Sequence, residues 1–204
     1  MAQGVYKVTE MFEEEMCSYT GAPFAAAVDN CSNAICLALT YEKVQGFEIT
    51  IPNRTYMSIP CEIIHAGAKV KWEMVDALSF KGPYRLKPTK VWDSSLRLTS
   101  GMYIPGSHMC LSFAPGKHLQ LGKGGMILTD DEVAYKWFKR ARMSGRNELG
   151  YDVDNFDMIG WNWYMPPATA ALGLQLMRRL GKHNEDLEFP YPDLSKFAIY
   201  NRGD

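Results

Sequence analysis

One lysine stands where chemistry is possible. Lys117 lies in the run LSFAPGKHLQLGKGGMILTDD, just past an apolar strand, with a hydroxyl at Ser112 and glycines at 122, 124 and 125. In α/β proteins such strand ends are where ligands bind. A lysine there attacks a carbonyl only after losing its proton, and apolar or cationic surroundings favour that loss by lowering its pKa. By position alone, Lys117 reads more often as a solvated loop lysine. Asp93 in VWDSS likewise reads first as a turn cap. A phosphate loop of the form GxxxxGK[ST] is excluded, because His118 follows Lys117 and no strand-loop-helix order fits. A GxGxxG dinucleotide loop is excluded as well, since VDNCSNAI after the first strand has no glycine.

In their order along the chain these segments resemble the DegT-type sugar aminotransferases, fold type I enzymes that carry pyridoxal 5′-phosphate on a lysine. The resemblance runs from about Phe12 to Leu180. SFAPGKHLQLGKGG resembles the family signature of SF, three variable residues, a lysine and a glycine-rich turn, which implies that Lys117 is the Schiff-base lysine and proton shuttle. VWDSS resembles the strand that ends in the aspartate facing the pyridine nitrogen, which implies that Asp93 keeps that nitrogen protonated and the ring electron-withdrawing. VDNCSNAI resembles the turn whose Gly-Thr pair receives the cofactor phosphate. Cys31 and Ser32 stand at that pair, and Ser32 at a helix N-terminus would add a hydroxyl and free N–H groups. PNRTY resembles the segment whose aromatic residue, here Tyr56, stacks on the ring, and Ser112 matches a second phosphate-contacting hydroxyl. GWNWYMPPATAALGLQL resembles the stretch in which an asparagine, here Asn162, reaches the phosphate of a neighbouring subunit, which implies a homodimer. Besides Cys31 and Ser32 in place of the Gly-Thr pair, two positions depart from the pattern: Leu96 stands for a glutamine, and Tyr164 where the family often has arginine.

The resemblance implies transfer of an amino group from an amino acid such as glutamate to a nucleotide-linked keto-sugar. The alternative is a non-catalytic cofactor-binding or scaffold protein derived from that family. The expected class is α/β, a mainly parallel sheet flanked by helices, as a reduced fold type I large domain. One domain is expected over residues 1–204, with the family's small C-terminal domain largely absent.

These residues need elements to hold them. Val8, Phe12, Met16 and Tyr19 recur at helical spacing, and Gly21 follows as a stop. AAAV at 25–28 predicts a buried strand that turns through 29–32 into the helix NAICLALTYEKV. FEITIP predicts a strand, residues 60–67 a helix opening at Pro60, and AKVKWEMV another strand. Strands are further expected at 90–92, 109–113 and 125–128, then a helix capped by Asp130 that runs to Gly145, and a helix in PPATAALGLQLMRRLG. The tail from 182 reads as irregular. Between Val75 and Asp93 a strand-helix unit of the family is missing, so the sheet must close with FEITIP beside KVWD or with YRL as a short substitute strand.

The composition carries 22 Lys and Arg against 23 Asp and Glu, which gives no basic field for nucleic acid or anionic lipid. No apolar stretch approaches a membrane span and the N-terminus has no signal-peptide core, so a soluble cytoplasmic protein is expected. The five cysteines lack metal-ligand spacing and read as reduced core thiols. His65, His108, His118 and His183 read as surface or helix-end residues, and no metal is expected.

Overall fold

A computed structural model of the chain describes residues 4, 6–75, 79–147 and 152–201. In chain order it runs α1 (Lys7–Thr20), β1 (Phe24–Val28), α2 (Cys31–Tyr41), β2 (Glu48–Pro52), α3 (Ser58–His65) and β3 (Lys69–Glu73). There follow β4 (Phe80–Lys81), β5 (Tyr84–Arg85), β6 (Val91–Asp93), β7 (His108–Ser112) and β8 (Gly125–Thr129). Last come α4 (Glu132–Ala141), α5 (Pro167–Met177), β9 (Glu188–Phe189) and two single 3-10 turns, Leu194–Lys196 and Ala198–Tyr200.

The main sheet has the order β1-β8-β7-β6-β5. Helices cover both of its faces. Met109 and Leu111 of β7, Met126 and Leu128 of β8, and Ala25 and Ala27 of β1 pack with Phe12 of α1 and Ala170 of α5. The alternate residues Cys110, Ile127, Ala26 and Val28 pack with Ile35 and Leu39 of α2 and Phe138 of α4. With both faces dry, every residue of β8 is buried, which is why this strand reads as a continuous apolar run. Gly173 of α5 lets that helix close on α1, since a Cβ there would lie 2.7 Å from the Phe12 ring.

The α/β class and flanking helices match expectation, but the sheet is mixed where a mainly parallel one was expected. β6 and β7 are parallel, as are β2 and β3, whereas β8 runs antiparallel to both β7 and β1. The β7–β8 connection, residues 113–124, holds no helix and returns the chain directly alongside β7, which sets β8 antiparallel to it. Of the two sheet closures considered, the YRL substitute is the one adopted. Tyr84 pairs with Asp93, and the Leu86 amide donates to Val91 at 2.9 Å. One residue on, Thr50 and Lys87 exchange backbone bonds of 2.8 and 3.1 Å, so residues 84–87 stitch β6 to β2.

Several boundaries shift for reasons of capping. α2 begins at Cys31, because the Asn30 side chain accepts from the Asn33 amide at 2.8 Å; Ser32 is therefore inside the helix and not its cap. α3 opens at Ser58, two residues before Pro60. Asp131, not Asp130, caps α4, which ends at Ala141. His108 is 1% exposed, contrary to the surface reading, between Thr129 Oγ1 at 3.0 Å and Glu42 at 3.4 Å. The outer edge of β1 is covered by a buried ion pair unforeseen in the sequence. Glu13 accepts from the Ala27 amide at 2.8 Å and pairs with Arg142, which donates to the Ala27 carbonyl.

Candidate active site

The C-terminal ends of β2 and β6, the start of α2 and the β7–β8 hairpin surround one cavity of about 670 Å³. Lys117, Asp93, Cys31, Ser32, Tyr56 and Ser112 all line it. These six residues come from four separate segments of chain, and the fold gathers them.

Lys117 closes a tight turn that starts at Ala114, whose carbonyl accepts from the Lys117 amide at 3.3 Å. Pro115 and Gly116 occupy its middle, and Gly116 has φ +80°, as the third position of a type II turn requires. The lysine is half-buried, with its Nζ 4.8 Å from the centre of the Phe189 ring. Burial lowers its pKa from the ordinary 10.5, against the opposing charges of Asp93 and Cys31. The amine is thus easier to deprotonate than a free lysine.

Asp93 ends β6 between Tyr84 and Cys110 in the ladder and is 4% exposed. Its Oδ1 accepts from the Ser95 amide at 2.9 Å, so the residue caps the turn while facing the cavity. The Tyr84 hydroxyl bonds that of Thr55. Burial, then the Asp93 charge, push the thiol of Cys110 and the phenol of Tyr84 well up, so both stay neutral beside the carboxylate.

Ser32 sits in the first turn of α2, where its Oγ lies 2.6 Å from Ser58 Oγ at the start of α3. Gly125 permits this placement. A Cβ there would stand 2.4 Å from the Asn30 carbonyl carbon and 2.6 Å from the Cys31 nitrogen, so only glycine lets the α2 turn settle on β8. The Cys31 thiol donates to the Cys110 carbonyl at 3.6 Å, and burial, then Asp93, raise its pKa, which makes it an inert wall. Ser112 ends β7, accepting from the Ala114 amide at 3.4 Å. Tyr56 is 48% exposed at the rim, edge-on to Tyr191.

Asn162 does not line this cavity. It is exposed, in an isolated backbone bridge with Met143. Among the cavity residues that the sequence reading did not single out are Ser58, Phe189 and Tyr191. Ser58 had a local signal, a serine just before Pro60 and two residues after Tyr56, while the two aromatics lie in the tail that reads as irregular. One cavity lined by a buried carboxylate, a partly desolvated amine, several hydroxyls and a helix N-terminus fits a flat heterocycle that carries an aldehyde and a phosphate.

Residues 2–81 and 104–189 match the model of the DegT/DnrJ/EryC1/StrS aminotransferase family. The spore coat polysaccharide biosynthesis protein SpsC of Bacillus subtilis is 24% identical over 84% of this chain and 56% of its own length. GDP-perosamine synthase of Caulobacter vibrioides is 23% identical over 84% of this chain and 57% of its own. The chain thus spans somewhat over half the length of these curated relatives. The structure of PseC, an aminotransferase of Helicobacter pylori, superposes with a TM-score of 0.70 at 16% identity, over 85% of this chain and 58% of that one. With well over half of its residues matched, the segments of Lys117, Ser32 and Tyr56 among them and that of Asp93 outside, this chain belongs to the DegT/DnrJ/EryC1/StrS aminotransferase family.

Proposed function

We propose that the chain is a pyridoxal 5′-phosphate-dependent aminotransferase that moves an amino group from an amino acid, with glutamate as donor, to a nucleotide-linked keto-sugar. The observation that carries this reading is the meeting of Lys117 and Asp93 in one cavity with Ser32 and Ser112. When bound, the cofactor supplies an aldehyde that accepts the amino group and a ring that takes up electrons from the substrate Cα. Lys117 would hold the cofactor and carry a proton to and from the substrate carbon. Asp93, buried and anchored by the Ser95 amide, would hold a proton at the ring nitrogen. Ser32, Ser112 and the N–H groups of α2 orient the phosphate, and Cys31 lines the wall beside it. Tyr56 covers the ring from the rim.

The name of GDP-perosamine synthase supports the nucleotide-sugar class. No described helix is long and apolar enough to cross a membrane, and all five cysteines are free thiols, which fits a reducing cytoplasm. The assembly we propose is a homodimer, in which the exposed Asn162 faces the partner's phosphate site; light scattering at micromolar protein then gives the mass of two chains, and the mass of one chain would sink it. The test of the reaction is a single turnover with glutamate, measured as 2-oxoglutarate released by the cofactor-loaded protein. Asp93→Asn is expected to keep the cofactor and lose at least about a hundredfold in rate, as expected for loss of a group needed in the transition state. Equal rates in the two proteins refute the role of Asp93. No release from the wild type with any amino acid favours the binding-protein alternative.

A further inference from the structure

The segment from Asp186 to Leu194 crosses the mouth of the cavity and is tied down on both banks. On the β6 side Arg97 grips Asp186 with two bonds of 2.8 and 2.7 Å, and the Leu187 amide donates to the Leu96 carbonyl at 2.8 Å. Gly82 makes room for this bank, because a Cβ there would meet Asp186 Oδ2 at 2.5 Å. On the β2 side Arg54 donates to the Tyr191 carbonyl at 2.9 Å, and the Leu194 amide to the Asn53 carbonyl at 2.8 Å. Both anchor points follow the C-terminal ends of sheet strands, the region where α/β proteins bind ligands. Between them, Phe189 and Tyr191 stack at 5.7 Å and turn toward the cavity. Phe189 reaches within 3.6 Å of where a Cβ on Gly116 would stand and lies over the Lys117 amine.

We infer that residues 186–194 form a strap that selects by size what reaches Lys117, with Phe189 and Tyr191 as its specificity-determining residues. The inference rests on the reading of Lys117 as the reacting group. Small amines and carbonyl compounds pass beside the seated aromatic pair, and a bulky substrate reaches the lysine only when the pair is displaced. The Arg97–Asp186 fork sets how often that happens, because a bidentate charged pair is among the stronger single ties a loop can have.

The experiment needs no cofactor. The cofactor-free full-length chain is treated with formaldehyde and cyanoborohydride as the small reagent, or with a sulfonated biotin succinimidyl ester as the bulky one, and labelling of Lys117 is read by peptide mapping against Lys136, whose side chain is 68% exposed. In the wild type Lys117 takes the small reagent but lags Lys136 with the bulky one. Phe189→Ala/Tyr191→Ala, and independently Arg97→Ala, are expected to raise the bulky-to-small labelling ratio of Lys117 about tenfold, the effect of removing a tie of charged hydrogen-bond strength. An unchanged ratio in both folded variants overturns the strap. So does a parallel rise with both reagents, which would mean general exposure with no size selection. Failure of the cofactor to attach to Lys117 would sink the proposed reaction and leave this result standing, and the converse also holds.

Discussion

At the scale of single residues, Lys117 sits between opposed influences. Burial lowers its pKa, while the Asp93 carboxylate and the Cys31 thiol pull it back up. Removing the carboxylate charge should therefore lower the pKa further, whereas a remote carboxylate would leave it unmoved. The pH dependence of Lys117 reductive methylation is expected to have its midpoint below 10.5 in the wild type and lower still in Asp93→Asn. An unmoved or raised midpoint in the variant would show that the two groups do not share a site. The same shift makes a statement about stability. A lysine pKa lower in the folded chain than in the unfolded one means that the unfolded chain binds more protons between the two values. The lysine's unfavourable contribution is thus fully present below the lowered pKa and is relieved as pH rises toward 10.5.

At the scale of elements, the site depends on how closely α2 seats on β8. Gly125→Ala puts a methyl group against the backbone of Asn30 and Cys31 at 2.4 to 2.6 Å, where no side chain can rotate away. The variant is expected to lose about 1–3 kcal/mol in denaturant unfolding, the usual cost of overpacking, with the N–H groups of α2 displaced from the cavity. A neutral midpoint would mean that the turn shifts freely and does not fix Ser32. Much of this was legible beforehand. Lys117, Asp93 and Ser112 were singled out only because their short segments resemble the family's, since by position alone Lys117 reads as a loop lysine and Asp93 as a turn cap, whereas the apolar runs of β1, β7 and β8 reflect burial on both faces. Strand direction was less legible, because an apolar run looks alike in a parallel and an antiparallel ladder. The helix starts at Asn30 and Asp131 were each missed by one or a few residues, since several polar residues there compete to cap.

At the scale of the whole molecule, what the sequence hid was long-range. The strap is irregular in local pattern, and its order comes from the pairing of Glu188 and Phe189 with Lys81 and Phe80 and from Arg97, Arg54 and Asn53, all of them 89 or more positions from their partners in the chain. Glu13 and Arg142 likewise meet across 129 positions to close the edge of β1. Such contacts leave no periodicity to read. The stitch of residues 84–87 between β6 and β2 was narrowed to two possibilities by the shortness of the segment, and backbone pairing selects one. These long-range ties bring Lys117, Asp93 and Ser32 to one cavity, and on that convergence the proposed chemistry stands. Its most direct test is to mix the full-length protein with pyridoxal 5′-phosphate, reduce with borohydride, and map the modified peptide. The account predicts a visible absorbance band before reduction and a single phosphopyridoxyl label on Lys117, absent in Lys117→Ala. A label spread over exposed lysines, or one that persists in Lys117→Ala, would contradict it.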